Sequence, residues 1–315
     1  MKHIIEKIEE FDTIIIHGHK RPDGDCIGSQ YGLFHIIKAS YPNKDVIVTG
    51  TTSEFVSFIG TPTILEDESL FENALSICVD CATSERLSDP RFDKAKYSIK
   101  IDHHIPVDDY GDYQYVDTTS PACAQIITEL YMNNKDKLIM PKEAAEALYV
   151  GINTDTGRFK FDSVKSRTFL AAATLLDCGV DIGYIDNKLS VETLDTLKLK
   201  GYVLSNFKIA PNGFAYILMT RDVINQFNVS DEDAAAQVST ISMIEGSPVW
   251  ALFMEYPTEI RVRLRSRGPI INTLAEEYNG GGHAKASGAT LASWDDLEGF
   301  VEKADAIVKT YKNTL

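Results

Sequence analysis

The chain has 315 residues, 44% hydrophobic and 24% charged, and its 46 acidic and 31 basic side chains give a net charge of −15. That length exceeds most single cores and predicts two domains of a water-soluble globular protein. The acidic balance excludes tight binding of long nucleic acid, which needs many phosphates neutralised, but leaves room for a small phosphorylated ligand at a local cationic site.

No apolar run approaches a membrane span. In residues 1–11, Ile4, Ile5, Ile8 and Phe11 have helical spacing, and Glu6, Glu9 and Glu10 interrupt any signal-peptide core, so a cytoplasmic location is expected. The cysteines (Cys26, Cys78, Cys81, Cys123, Cys178) are odd in number and scattered, and read as small buried residues. Cys78 and Cys81 have the spacing of a zinc or redox pair, but no second pair accompanies them.

Residues 13–16 form an apolar run that predicts a buried strand. The stretch 17–29, HGHKRPDGDCIGS, follows it, and helical spacing begins at Ile27 and continues through Tyr31, Phe34 and Ile37. Strand-to-helix turns of this kind hold the ligands of open α/β sheets. His19, Asp23 and Asp25 suit a hard divalent metal, and the Asp-Gly-Asp spacing lets one carboxylate serve each of two neighbouring ions. Pro22 fixes φ ahead of Asp23, and Gly24 allows unusual backbone angles. An ordinary Pro-Asp-Gly surface turn is the bland alternative.

Further strands are predicted over 45–49, 75–79 and 97–101. Asp80 stands at the end of the second of these, and Asp102-His103-His104 at the end of the third. A parallel sheet would gather these ends on one edge. Ser120-Pro121 reads as an N-cap and first residue of a helix with Cys123, Ile126, Ile127, Leu130 and Tyr131 on its apolar face. Another helix starts near Pro141, carries Ala145, Leu148, Tyr149 and Ile152, and ends at Asp155. A third, over 163–176, has Phe169, Ala172, Ala173 and Leu176 on one face. Residues 185–209 are polar and helical, with alternating charge at Glu192, Asp195, Lys198 and Lys200, and read as a bridge between domains. Beyond 213, β-rich runs (214–219, 248–255, 260–266) alternate with helices and end in an amphipathic helix over 294–311.

His19, Asp23, Asp25, Asp80, His103 and Asp155 make a set of four carboxylates and two imidazoles without a thiolate. Such donors favour manganese, magnesium or iron over structural zinc. The carboxylates would repel one another, and two divalent cations would neutralise them. Two metals about 3.5–4 Å apart can share a water and clamp a phosphoryl group. Asp80, alone at its strand end, is the natural bridge. Asp102 would orient a histidine imidazole, and His104 remains for a phosphate oxygen or the leaving group. In the second half, Arg261, Arg263, Arg265 and Arg267 recur with period two, which places them on one strand face suited to a phosphate. A solvated face paired with nearby acids is the bland reading for one or two of them. The run 280–288, GGGHAKASG, offers backbone N–H groups for an anion, with His283 and Lys285 as added donors; alone it would read as a flexible turn between a helix over 270–278 and a strand over 289–291.

The pattern His19-x-x-x-Asp23-x-Asp25, then Asp80, then Asp102-His103-His104, then Thr154-Asp155-Thr156-Gly157, resembles the four motifs of the DHH phosphoesterase superfamily. Gly280-Gly281-Gly282-His283 with Ala286-Ser287-Gly288 resembles the signature of the associated DHHA1 domain. Size and layout resemble the bacterial nanoRNase and pAp phosphatase group, which includes stand-alone enzymes hydrolysing pApA from cyclic di-AMP turnover. The resemblance implies that His19, Asp23, Asp25, Asp80, His103 and Asp155 hold two manganese ions, with magnesium or another divalent cation as the alternative. It implies catalytic roles for His104 and Asp102, and substrate binding by Arg265, Ser266, Gly280, Gly281, Gly282 and His283. Cys26 stands where the family usually has alanine, and Arg263 where a smaller residue is expected.

The expected fold is α/β. A parallel sheet with flanking helices on both faces forms a DHH domain over 1–186, a helical linker runs over 187–210, and a smaller α+β DHHA1 domain fills 211–315, with substrate in the cleft. The expected activity is metal-dependent hydrolysis of short 5′-phosphorylated oligonucleotides (pApA, nanoRNA) to mononucleotides by a water activated between two metals, with pAp to AMP as a further reaction. Expected partners are such small substrates, with no long nucleic acid and no membrane; a homodimer is compatible with the sequence. A pyrophosphatase or exopolyphosphatase of the same superfamily is the nearest alternative, opposed by the GGGH-type second domain. A non-catalytic nucleotide-binding regulator is the other, opposed by the complete ligand set and the spare His104.

Overall fold

The computed structural model describes residues 1–314. They fall into two compact units, Met1–Val191 and Glu192–Leu315. In the first, the order is α1 (Lys2–Glu10), β1 (Thr13–His17), α2 (Gly24–Ser40), β2 (Asp45–Thr49), β3 (Leu75–Val79), β4 (Tyr97–Asp102), β5 (Tyr113–Val116), α3 (Cys123–Met132), α4 (Lys142–Asp155), α5 (Ser166–Asp177) and α6 (Ile182–Ser190). The strands form one parallel sheet in the order β2-β1-β3-β4-β5. The chain leaves β1 for one edge and resumes at β3 on the other side of it. The carboxyl ends of β1 and β3 therefore flank a topological switch point, where open α/β sheets bind ligands.

One face of this sheet carries Ile14, Ile16, Leu75, Ile77, Ile99 and Ile101 against Ile5, Leu33, Ile36, Ile126, Leu148 and Ile152 of the α-helices. Each such fully buried side chain stabilises by about 1.5–3 kcal/mol. The α-helices gather on this face. The other is covered by 3-10 turns and loops where the sequence reading expects helices: Ile15 meets Phe71 and Ala74, and Cys78 packs with Cys81, Leu87, Phe92 and Tyr110. The connections after β2, β3 and β4 contain only 3-10 turns or irregular loops, so no amphipathic α-helix is available there.

Two glycines bring α2 and α4 together. A Cβ on Gly28 would stand 2.5 Å from the Ala147 carbonyl oxygen, and one on Gly151 would stand 2.9 Å from an Asp25 carboxylate oxygen. Backbone-to-backbone approach at these points draws the start of α2 and the end of α4 into one place.

Two helices depart from the sequence reading. α3 begins at Cys123 with Ala122 before it, so Ser120-Pro121 does not form its first turn. In α5 the buried residues are Thr168, Ala171, Ala172 and Leu175, whereas Phe169 and Leu176 are exposed. The periodicity located an apolar stripe, but the stripe buried here is the one with small residues.

The second unit contains α7 (Leu194–Asn206), β6 (Lys208–Ile209), β7 (Ala215–Met219), α8 (Arg221–Phe227), α9 (Asp231–Ala236), β8 (Val249–Glu255), β9 (Ile260–Ser266), α10 (Asn272–Glu277), β10 (Gly281–His283), β11 (Ala286–Leu291) and α11 (Leu297–Lys312). The residues read as a linker form part of α6, α7 and β6; Leu199 and Val203 of α7 are buried with Ile217, Ile224 and Leu252 of the second unit. The sheet order is β10-β11-β9-β8-β7-β6, mixed, with β7 and β8 the parallel pair. β8 is buried on both sides: Val249, Ala251 and Phe253 face Phe300, Ala304 and Val308, while Trp250, Leu252 and Met254 face the cluster around α7. β9 alternates strictly, with Ile260, Val262 and Leu264 buried and Arg261 and Arg263 exposed. No single helix among the described residues is long and apolar enough to cross a membrane.

Candidate metal centre

The turn after β1 is built by Asp23 capping α2. Its Oδ1 accepts the backbone N–H groups of Asp25 (3.1 Å) and Cys26 (3.0 Å), which satisfies two of the donors left over at a helix start. Its other oxygen stands 3.9 Å from His19 Nε2. Asp25, fully buried, caps a different helix: its carboxylate accepts N–H of Cys123 at 2.6 Å and of Ala124 at 2.9 Å. The cap of α3 is thus an acid 98 residues upstream, which explains why Ser120 does not serve.

Asp80 follows β3 in the left-handed region at φ 56° and is buried. Its oxygens diverge: one lies 3.5 Å from His19 Nε2, the other 3.3 Å from His103 Nε2 and 3.7 Å from His104 Nδ1. Asp25 and Asp155 approach the same His103 nitrogen at 3.8 and 3.4 Å. The six residues singled out as metal ligands therefore meet around Asp80. Both imidazoles are turned the same way. Nδ1 of His19 donates to the Lys20 carbonyl (2.9 Å) and Nδ1 of His103 to the Ser120 carbonyl (3.3 Å), so each presents Nε2 to the carboxylates.

This many ionisable groups in one buried place perturb one another. Burial, then the charges of Asp80 and Asp155, hold the Asp25 carboxyl well above its usual range, and burial with Asp80 pushes Asp155 up to about 7. Burial alone would lower His19 and His103, but the adjoining Asp80 carboxylate and its neighbours outweigh it and raise them to about 11 and about 10. Asp80 is held below the usual carboxylate range: its burial is outweighed by those imidazoles. Asp80 Oδ1 and His103 Nε2 are buried without a hydrogen-bond partner. Hard oxygen and imidazole donors that converge with unmet bonding capacity fit divalent cations. Backbone strain accompanies the site. Besides Asp80, the run Gly157, Arg158, Phe159 just after Asp155 has φ of 55, 60 and 62°. Such positions cost about 1–3 kcal/mol each for non-glycine residues and cluster at functional sites.

Asp102 ends β4, and its Oδ1 accepts from His103 N (2.9 Å), His104 N (3.3 Å) and His104 Nδ1 (2.8 Å). It holds His104 with the Nε2 edge free. Two neighbours were not counted as part of the site in the sequence reading. Lys100, completely buried, lies 3.6 Å from the second Asp102 oxygen and donates to the Ala82 carbonyl at 2.9 Å. Its signal was a lone cation inside an apolar strand, two residues before an acid and so on the same face. Cys26 brings a thiol to a site read as thiol-free: its sulfur and donor atoms of His19 and Asp80 lie within 4.8 Å of one another. Burial pushes that thiol up to about 11.

The residues singled out for substrate lie in the second unit. Gly281 to His283 form edge strand β10, paired with β11, and not an open glycine turn. The register places His283, Ala286 and Arg265 side by side across three strands, on one face. Ser266 belongs to the opposite face, and its Oγ accepts the Gly268 N–H at 3.0 Å. Arg267 lies beyond β9 and donates to the Ile244 carbonyl at 3.1 Å, so three arginines share the face and not four.

Comparison with known proteins identifies the two units by family. Residues 13–152 match the model of the DHH family, N-terminal domain, and residues 213–310 that of the DHHA1 domain. The chain is 37% identical over 310 residues to the bifunctional oligoribonuclease and PAP phosphatase NrnA of Bacillus subtilis, covering 98% of this chain and 99% of that one. It is 38% identical to the probable bifunctional oligoribonuclease and PAP phosphatase NrnA of Streptococcus mutans, with 98% and 99% covered. The crystal structure of an exopolyphosphatase-related protein from Bacteroides fragilis superposes with a TM-score of 0.87 at 27% identity, over 98% of this chain and 97% of that one. With both family domains in order, and near-complete alignment to such relatives, the chain belongs to the DHH family of metal-dependent phosphoesterases, in its DHH–DHHA1 form.

Proposed function

We propose that this enzyme hydrolyses short 5′-phosphorylated oligonucleotides such as pApA to mononucleotides, and pAp to AMP, with two manganese ions at the Asp80 centre. The observation that supports this most is the divergence of the two Asp80 oxygens toward His19 and His103. His19 and Asp23 would hold one cation, Asp25, His103 and Asp155 the other, and Asp80 both. When bound, such a pair offsets charge on the phosphoryl oxygens and lowers the pKa of the attacking water. His104, fixed through Nδ1 by Asp102, presents its other nitrogen to a phosphate oxygen or to the leaving group. Arg265 and His283 bind the part of the substrate remote from the reacting phosphorus. The glycines of β10 keep that face low beside them.

The test is a product profile with manganese over pApA, pGpG, longer nanoRNA, pAp and inorganic polyphosphate. Mononucleotides from the dinucleotides are expected, with activity abolished by chelation and reduced at least about a thousandfold by Asp80→Ala. Full turnover in excess chelator would refute the two-metal reading. Preferential release of phosphate from polyphosphate would favour the activity suggested by the Bacteroides relative's name.

A further inference from the structure

Arg261, Arg263 and Arg265 share one face of β9 but not one environment. Arg261 is neutralised: its Nε donates to Glu259 at 2.7 Å, and its guanidinium lies 4.5 Å from the centre of the Tyr256 ring. Arg265 is half-buried and turns toward the carbonyls of Leu264 (2.9 Å) and Ser287 (3.3 Å). Among the described residues, no carboxylate comes within 4.0 Å of the guanidinium of Arg263 or Arg265. In a chain with 46 acidic and 31 basic residues, two adjacent arginines without an acid are a conspicuous imbalance. They also act on each other: burial, and then the charge of Arg263, lower the pKa of Arg265.

The strand register shows what lies beside them. Arg265 is flanked by Ala286 and His283, and Arg263 by Gly288 and Gly281. On the β11 side the row next to Arg263 has no side chains, while Leu252 of β8 lies opposite it on the other side. A Cβ on Gly281 would meet nothing within 4 Å, and one on Gly288 would have its nearest neighbour, the Val262 carbonyl oxygen, at 3.7 Å. The result is a flat, open floor bordered by two unneutralised guanidiniums and an imidazole.

We infer that Arg263 joins Arg265 in a two-arginine clamp that selects a dianionic terminal phosphomonoester over a monoanionic phosphodiester. The assignment rests on the phosphoesterase reading above and extends it to the charge of the recognised group. A phosphomonoester carries nearly two negative charges at neutral pH, because its second pKa is about 6, and so matches two guanidiniums; a diester carries one. Arg263 is the side chain that makes the count two.

The experiment compares the wild type with Arg263→Gln and Arg263→Lys, all full-length and manganese-loaded. The substrates are pApA and ApA, which differ only in the terminal phosphate. Arg263→Gln should lower kcat/KM for pApA about tenfold more than for ApA, and Arg263→Lys should recover part of the loss. Equal loss on both substrates would mean a structural role, and no differential loss would mean a solvated side chain; either overturns the clamp. Calorimetric binding of AMP and of its 5′-methyl ester separates this inference from the parent reading. If the wild type hydrolyses neither dinucleotide, the phosphoesterase reading fails. A preference for AMP over the ester that falls in Arg263→Gln would still uphold the clamp, and an unchanged preference would overturn it.

Discussion

The ammonium of Lys100 lies 3.6 Å from the Asp102 carboxylate, and neither side chain has any exposure to solvent. The same ammonium lies 4.5 Å from the centre of the Tyr110 ring, so a complete environment for a buried cation exists within β4, the strand that His103 and His104 follow. The consequence is directional. With one Asp102 oxygen facing Lys100, the other is left to gather the His104 imidazole and two backbone N–H groups. Lys100 therefore acts on His104 through Asp102.

Removing one partner of a buried ion pair leaves an uncompensated charge and costs about 3–5 kcal/mol. Lys100→Met, nearly isosteric, should destabilise by that amount in denaturant unfolding of the metal-free protein. Asp102→Asn added to it should cost less than the sum of the two single changes, because the charge left unpaired is gone. Strict additivity of the two substitutions would show that the pair is not energetically coupled.

Gly151 offers a test of how packing sets the metal centre. Alanine there would press on Ala124 Cβ at 2.6 Å and on the Asp25 carboxylate at 2.9 Å. Overpacking of this kind costs about 1–3 kcal/mol, and the group displaced is a proposed ligand. Gly151→Ala should weaken manganese binding in calorimetric titration. Gly201→Ala, where a Cβ meets nothing within 4 Å, should leave it unchanged and stabilise the protein by about 0.5–1 kcal/mol. Identical manganese affinity in Gly151→Ala would show that α2 and α4 can separate without disturbing Asp25.

Much of this arrangement was legible in the sequence because strand ends are legible. Apolar runs at 13–16, 75–79 and 97–101 announced buried strands, and chemistry-bearing residues directly after such runs must share an edge if the sheet is parallel. What escaped depends on partners distant in sequence. Asp25 as the cap of α3 links residues 98 apart, which no local signal at Ser120 could reveal. The burial of α5 through Ala171 and Ala172 and not Phe169 was hidden because periodicity gives the stripe width but not which stripe meets a neighbour. Lys100 was visible as a residue but not as a charge pair, since burial is not written in the chain. The glycine run read as a loop because glycine disfavours strands, yet the register with β11 holds it as one.

His283→Ala tests the division of labour between the units. His283 belongs to the exposed edge strand of the second unit, whereas every proposed metal ligand belongs to the first. The substitution should leave manganese stoichiometry unchanged and sharply lower kcat/KM for pApA. Hydrolysis of bis-p-nitrophenyl phosphate, which has no terminal phosphate to hold, should fall much less, because binding energy from remote groups is what positions the reacting phosphorus. Loss of metal, or equal slowing of both substrates, would place His283 in the metal site or in the framework of the domain.

Filling the centre with metal should release protons. Without metal, His19 at about 11 and His103 at about 10 both hold their protons at pH 7, and Asp155 at about 7 is half protonated. Binding a cation requires Nε2 lone pairs and ionised carboxylates, so these protons must leave. Manganese titrated at pH 7 in buffers of different ionisation enthalpy should therefore release about two protons or more per filled centre, and apparent affinity should climb as pH rises from 7 toward 10. The metal-free protein should respond in the opposite sense. The raised imidazoles contribute stability that is complete below their ordinary value of 6.5 and lost as pH passes through about 10 to 11. Asp155, raised from 3.8 to about 7, adds a penalty that grows between those values as its carboxyl ionises. All three shifts make metal-free stability fall as pH rises, while manganese should restore it most at the alkaline end. Titration heats that do not depend on the buffer would mean that the cluster is already deprotonated when the metal arrives, and that Asp80 does not hold charged imidazoles on both sides.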